Sequence, residues 1–225
     1  MSNYIILSQK SWNKSLLEDL SLKTDDNWVL ISSKDDFNND NLKKINPDKI
    51  FIPHWSYIIP ELIFNSYECI VFHMTDLPYG RGGSPLQNLI LLGHKNTKIS
   101  ALQVESGIDT GDIYLKKDLS LNGTAQDIYE RANEVISDMI VEIVKTKPVP
   151  IKQEGNPTLF KRRKPLMSNM NDVESLDEVY DFIRMLDADG YPPAFLETSN
   201  CKFEFRKVSK QNDNTLEAYV RIIKK

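Results

Sequence analysis

Several features are scarce in this chain of 225 residues, and each scarcity narrows what it can be. Two cysteines, Cys69 and Cys201, stand far apart, and with three histidines in all a structural zinc site of the usual Cys/His spacing cannot be assembled. No apolar run approaches the roughly 18 residues that span a bilayer. Met1 to Trp12 holds one short strand-like patch, Tyr4 to Leu7, instead of a basic segment followed by an apolar one. The reading is a cytoplasmic, metal-free protein with reduced thiols and no membrane partner. A Gly-x-Gly-x-x-Gly fingerprint is missing after the first strand, where the chain reads Ser8-Gln9-Lys10, so dinucleotide binding has no support. Positive charge is short as well: the net charge is -4, and the one dense basic cluster is Lys161 to Lys164. A protein that neutralises many phosphates carries a basic stripe, so no nucleic-acid partner is expected.

What is present is ordinary for one folded domain with a small appendage, 40% hydrophobic and 27% charged. Tyr4 to Ser8, Trp28 to Ser32, Lys49 to Pro53 and Cys69 to His73 read as strands separated by amphipathic stretches, the pattern of βαβ units. The fold class expected is therefore α/β, with a Rossmann-like parallel sheet whose ligands gather at the carboxyl ends of the strands. Thr124 is positioned to cap a helix from Ala125 to Lys145, whose apolar stripe is core. Pro148 and Pro150 stop it, and the spacing places a boundary there, with 1–150 a core and 151–225 a linker plus a small C-terminal α+β subdomain. In that tail Ser175 and Glu178 open a helix running toward Gly190, and two alternating segments, at Cys201 to Arg206 and Leu216 to Ile222, form an antiparallel pair.

One stretch carries chemistry. A strand ends in Phe72-His73-Met74-Thr75-Asp76-Leu77-Pro78, followed by Tyr79-Gly80-Arg81-Gly82-Gly83-Ser84-Pro85 and a helix. A histidine at the end of a central strand is placed for catalysis, although it can also be a hydrogen-bonded structural imidazole. Further on, Gly107-Ile108-Asp109-Thr110-Gly111-Asp112 is a turn whose glycines permit tight geometry while Asp109 projects from it.

Together these residues resemble the 10-formyltetrahydrofolate-dependent formyltransferase family, through His73, Leu77-Pro78, Arg81-Gly82 and Pro85 and the Asp-Thr-Gly-Asp turn at Asp109 to Asp112. The resemblance implies a formyl transfer from 10-formyltetrahydrofolate to an amine, with His73 and Asp109 catalytic. It also implies a folate site including Trp55, Ser56, Thr75, Leu77, Gly107 and Ile108, and a substrate side including Arg81, Gly82 and Arg162. The family's active-centre asparagine falls at Val71, which cannot donate a hydrogen bond to an oxyanion. His54, after the neighbouring strand, is the candidate replacement; it can equally line the cofactor pocket. The tail is nearly charge-balanced and short for a full tRNA-binding barrel. The expected substrate is therefore a small nucleotide-linked amino sugar; the motif version from Phe72 to Asn88 resembles that of formyltransferases in pseudaminic-acid-type pathways, which implies a UDP-linked 4-amino-4,6-dideoxy sugar. A tRNA-directed enzyme and an inactive folate-binding relative are the alternatives. A homodimer is compatible with this reading.

Overall fold

Tyr4, Ile5, Ile6 and Leu7 are all buried, and an unbroken apolar run of that kind suits a strand covered on both faces. In the computed structural model, which describes residues 1–10 and 12–225, it forms β1 (Asn3–Ser8), an inner strand of a six-stranded sheet. The elements that follow are α1 (Asn13–Lys23), β2 (Asn27–Ile31), α2 (Asn39–Ile45), β3 (Lys49–His54), α3 (Glu61–Phe64) and β4 (Glu68–His73). Then come β5 (Arg81–Gly82), α4 (Pro85–Leu91), β6 (Asn96–Gln103), β7 (Ile113–Ser120) and α5 (Ala125–Thr146). The chain closes with β8 (Leu159–Phe160), a 3-10 turn (Pro165–Ser168), α6 (Leu176–Arg184), β9 (Ala194–Glu197), β10 (Cys201–Asn212) and β11 (Thr215–Lys224).

Strand order in the large sheet is β2-β1-β3-β4-β6-β7. The four expected strands are parallel to their neighbours, as the βαβ pattern requires, whereas β6 runs antiparallel to β4. Neither β6 nor β7 was expected, because β6 opens on Asn96-Thr97-Lys98 and β7 carries Lys116, Lys117 and Asp118. Charges of that kind suit an edge strand such as β7. Register fixes the face that matters: Ile52 pairs with Val71 and Val71 with Leu102, so these three side chains share one face. Two residues beyond Ile52 and Val71, the strands end in His54 and His73.

The described residues divide into two compact units. One comprises 1–82, 98–119 and 130–159; the other comprises 83–97, 120–129 and 160–225. In the second, Ser175 Oγ accepts from the Glu178 amide as expected, while the Glu178 carboxylate takes the amide of Glu174. The helix ends at Arg184, earlier than the pattern suggested, and Arg184 Nη1 donates to the carbonyls of Leu121 and Gly123. A third strand, β9, joins β10 and β11 in an antiparallel sheet. Among the described residues no helix is long and apolar enough to cross a membrane.

Candidate active site

His73 closes β4 and is 7% exposed. Its Nε2 lies 2.8 Å from the Gly80 carbonyl oxygen and donates to it, because a carbonyl can only accept. That leaves Nδ1 without a proton in the neutral ring, and Nδ1 faces Asp109 Oδ2 at 3.4 Å. Two acceptors therefore look at each other across a gap that one proton would close. A proton placed there would bridge the two side chains.

Asp109 is held there by its turn. Its φ is +53, a left-handed conformation that a short polar side chain tolerates better than most. Gly82, itself at positive φ, donates its N–H to Asp109 Oδ2 at 2.9 Å. Gly111 admits no side chain, since a Cβ would sit 1.9 Å from the Gln103 carbonyl oxygen. The turn is thus pressed against the end of β6.

Beside Asp109 opens a cavity of about 280 Å³. Its walls are apolar and aromatic, with Ile52, Trp55, Tyr57, Ile59, Val71 and Leu102 among them, and one side is the loop from Val104 to Ile108. Four of the residues expected at the cofactor, Trp55, Ser56, Gly107 and Ile108, line it. Thr75 and Leu77 do not: Thr75 is fully buried behind His73, 3.5 Å from the Gly80 carbonyl, and Leu77 belongs to a core cluster with Leu102 and Ile113. The chain turns inward after β4, and position after a strand end does not reveal the side to which it turns. Asp109 borders the cavity, whereas His73 is one side chain back.

The other expected residues have definite partners. His54 is not among the cavity's lining residues; its Nδ1 is 3.5 Å from Asn13 Nδ2 and its ring meets Trp12 edge-on at 5.9 Å. The Asn13 side-chain amide also lies 2.7 Å from Ser8 Oγ, so Ser8, Asn13 and His54 form one polar cluster. Burial, aided by the charge of Lys10, pushes the His54 pKa down to about 4. Arg81 turns its guanidinium onto Gln153, and Arg162 belongs to the second unit, where its Cβ lies against Gly83. Sequence reasoning overlooked Gln153 and Asn13; the polar Gln153 in a Pro-flanked segment gave no local signal. Among the described residues no cluster of three or more His, Cys, Asp or Glu is placed to hold a metal ion.

A family model described as formyl transferase matches residues 13–144, and one described as the methionyl-tRNA formyltransferase C-terminal domain matches 165–223. Methionyl-tRNA formyltransferase of Rickettsia prowazekii is 33% identical over 121 residues, covering 51% of this chain; the chain spans only 40% of that protein. A solved structure named methionyl-tRNA formyltransferase from Clostridium thermocellum is 48% identical with a TM-score of 0.97, and covers all of both chains. HypX from Aquifex aeolicus, solved with tetrahydrofolic acid, is 13% identical with a TM-score of 0.77 over 92% of this chain and 38% of its own, which shows a shared fold. These matches overturn the expectations of a nucleotide-sugar substrate and of no nucleic-acid partner. The first rested on the tail's length and charge and on the likeness of the Phe72 to Asn88 motif, the second on the scarcity of basic residues, and a chain of the same extent bears a tRNA-directed name. With a formyl transferase model over more than half of its residues and 48% identity to one such protein along its entire length, the chain belongs to the formyl transferase family.

Proposed function

We propose that this chain is a 10-formyltetrahydrofolate-dependent N-formyltransferase whose acceptor is the free amino group of an aminoacylated tRNA, methionyl-tRNA in the first instance. The observation that carries the chemistry is the His73–Asp109 pair beside an apolar cavity. The likeness to proteins named for methionyl-tRNA supports the acceptor.

The cavity suits a flat, largely apolar ring system: Trp55, Tyr57 and Val71 offer faces for it, and the Val104 to Ile108 loop offers backbone polar groups to its edge. When bound there, 10-formyltetrahydrofolate supplies the formyl carbon. An amine becomes a nucleophile only without its extra proton and must shed one more as the amide forms. Asp109, at the cavity wall, is the first acceptor for that proton, and the gap between its Oδ2 and His73 Nδ1 is where the proton is held. With it in place, His73 donates from both nitrogens, to Asp109 and to the Gly80 carbonyl, and the cationic ring is fully partnered. The same proton returns to the departing nitrogen, so the pair ends as it began. His54, whose strand ends beside that of His73, is our proposed donor to the developing oxyanion in place of the side chain Val71 lacks.

The test is to incubate the chain with 10-formyltetrahydrofolate and methionyl-tRNA and follow tetrahydrofolate release together with formylation of the tRNA-bound methionine. Both are expected, and both are expected to vanish in His73→Ala. Absence of formylated product with wild-type protein that binds folate would overturn the acceptor assignment.

A further inference from the structure

Gln153 makes every hydrogen bond its side chain can make. Its Nε2 donates to the carbonyls of Asp109 and Gly111, each at 2.9 Å, and its Oε1 accepts from Arg81 Nε at 3.2 Å and Nη2 at 2.7 Å. Arg81 has donors only, so the oxygen of the amide must face it and the NH₂ must face the turn. The orientation is therefore chemically fixed. Gln153 arrives there because Ile151 forms an antiparallel bridge with Ile113, exchanging N–H···O bonds of 2.8 and 3.0 Å, and two residues on from Ile151 the chain lies beside Gly111.

The other end of the contact is equally tied. Arg81 donates its N–H to the Thr158 carbonyl at 3.0 Å, and Gly80 donates to Thr158 Oγ1 at 2.7 Å. Gly80 and Gly82, on either side of Arg81, supply the acceptor for His73 Nε2 and the donor for Asp109 Oδ2. One arginine–glutamine pair thus joins the loop that holds the histidine to the turn that holds the aspartate.

We infer that Arg81 and Gln153 are positioning residues for the reaction: they set the separation of His73 Nδ1 from Asp109 Oδ2 by clamping the backbone on which Asp109 stands. Neither touches the reacting atoms. This rests on the formyl-transfer reading for its effect on turnover, but its effect on the histidine stands without it. Arg81, expected at the substrate, acts instead through Gln153.

The experiment uses the full chain and reads the side-chain ¹⁵N resonances of His73, which are separable because the chain has only three histidines and His73→Gln assigns the signal. Gln153→Ala and Arg81→Lys are compared with Asp109→Asn. The expected result is that Gln153→Ala moves the His73 Nδ1 resonance in the direction that Asp109→Asn moves it, with Arg81→Lys, which keeps the charge and loses the fork, falling between. Turnover should fall about tenfold or more in Gln153→Ala with affinity for 5-formyltetrahydrofolate unchanged, and Gln153→Ala should add nothing in the Asp109→Asn background. A lower melting temperature with His73 resonances identical to wild type would overturn the inference, and so would no change at all. If Gln153→Ala does not fold, Arg81→Lys carries the same comparison. Should wild type transfer no formyl group, the resonance shifts still decide the clamp, and only the proposed function falls.

Discussion

Acidification should destabilise this chain through His54. Its pKa falls from 6.5 to about 4 on folding, because burial disfavours the charged ring and Lys10 adds repulsion. Above pH 6.5 the folded and unfolded chains both hold it neutral, and no stability is lost. Between 6.5 and 4 the unfolded chain binds a proton that the folded chain refuses, so stability drops as pH falls through that window. At about 1.36 kcal/mol per pH unit, the gap corresponds to roughly 3 kcal/mol by pH 4. For a domain of ordinary stability that is a large fraction of the total. Asp76 enters later: burial raises its pKa but Lys116 and Lys98 together lower it below 3.8, so its contribution is lost beneath the window. Urea unfolding at half-unit steps from pH 7 to 4.5 is the assay, with His54→Gln as the comparison. The variant should show a much flatter dependence. Equal slopes in the two proteins would refute the reasoning, since His54 would then contribute nothing to the dependence.

Further outcomes follow from the same geometry. His73→Ala and Asp109→Asn should each lower kcat by about 10²- to 10⁴-fold, and the double variant should be little worse than the weaker single one, because the pair holds one proton; multiplicative losses in steady-state kinetics would show two independent groups. His54→Ala should lower kcat about 10²-fold with folate affinity in calorimetry unchanged, and Val71→Asn in that background should recover part of the loss; weakened folate binding with normal kcat would make His54 a pocket-wall residue. Gly111→Ala should cost about 1–3 kcal/mol in chemical denaturation, since its Cβ would overlap the Gln103 carbonyl, and an unchanged midpoint would show that the turn yields. Burial, with the Glu68 charge, pushes the Cys69 thiol up to about 12, so iodoacetamide at pH 8 should label Cys201 first in the native chain; equal labelling rates would contradict the burial.

The parts of the site legible in the sequence are those whose geometry is local. His73 stands where an apolar strand ends, and Asp109 stands between two glycines of a tight turn; both need only a few neighbouring residues to be recognised. Gln153 was not legible, because its place depends on the bridge between Ile113 and Ile151, a long-range pairing with no composition of its own. Thr75 and Leu77 lie away from the cavity for a related reason: alternation tells which face a strand residue points to, but after His73 the chain leaves the strand and the alternation with it. The four parallel strands were read from their apolar runs, while β6 and β7 were hidden by charges that an edge or near-edge strand tolerates. The acceptor was misread from the tail and from the Phe72 to Asn88 motif, because net charge and length describe a surface only on average and that motif lies by the His73–Asp109 pair, not on a surface that meets the acceptor's bulk.

The way the pair is held also bears on why three separate loops meet at it. A proton shared between His73 and Asp109 is stabilised most where water is scarce, and both side chains are mostly buried. Burial makes the same pair sensitive to distance, since a carboxylate that drifts away from Nδ1 leaves a charge without its partner. The fold meets that demand with backbone, which cannot change rotamer: the Gly80 carbonyl on one nitrogen, the Gly82 amide on the carboxylate, and the Asp109 and Gly111 carbonyls under Gln153. Glycines supply two of these groups at positive φ, where a side chain would strain the loop. Val71 departs from the family pattern without disturbing any of these bonds, because its side chain faces the cavity and the Ile52–Leu102 surface. The His73–Asp109 pair is thus held by bonds in which the Val71 side chain takes no part.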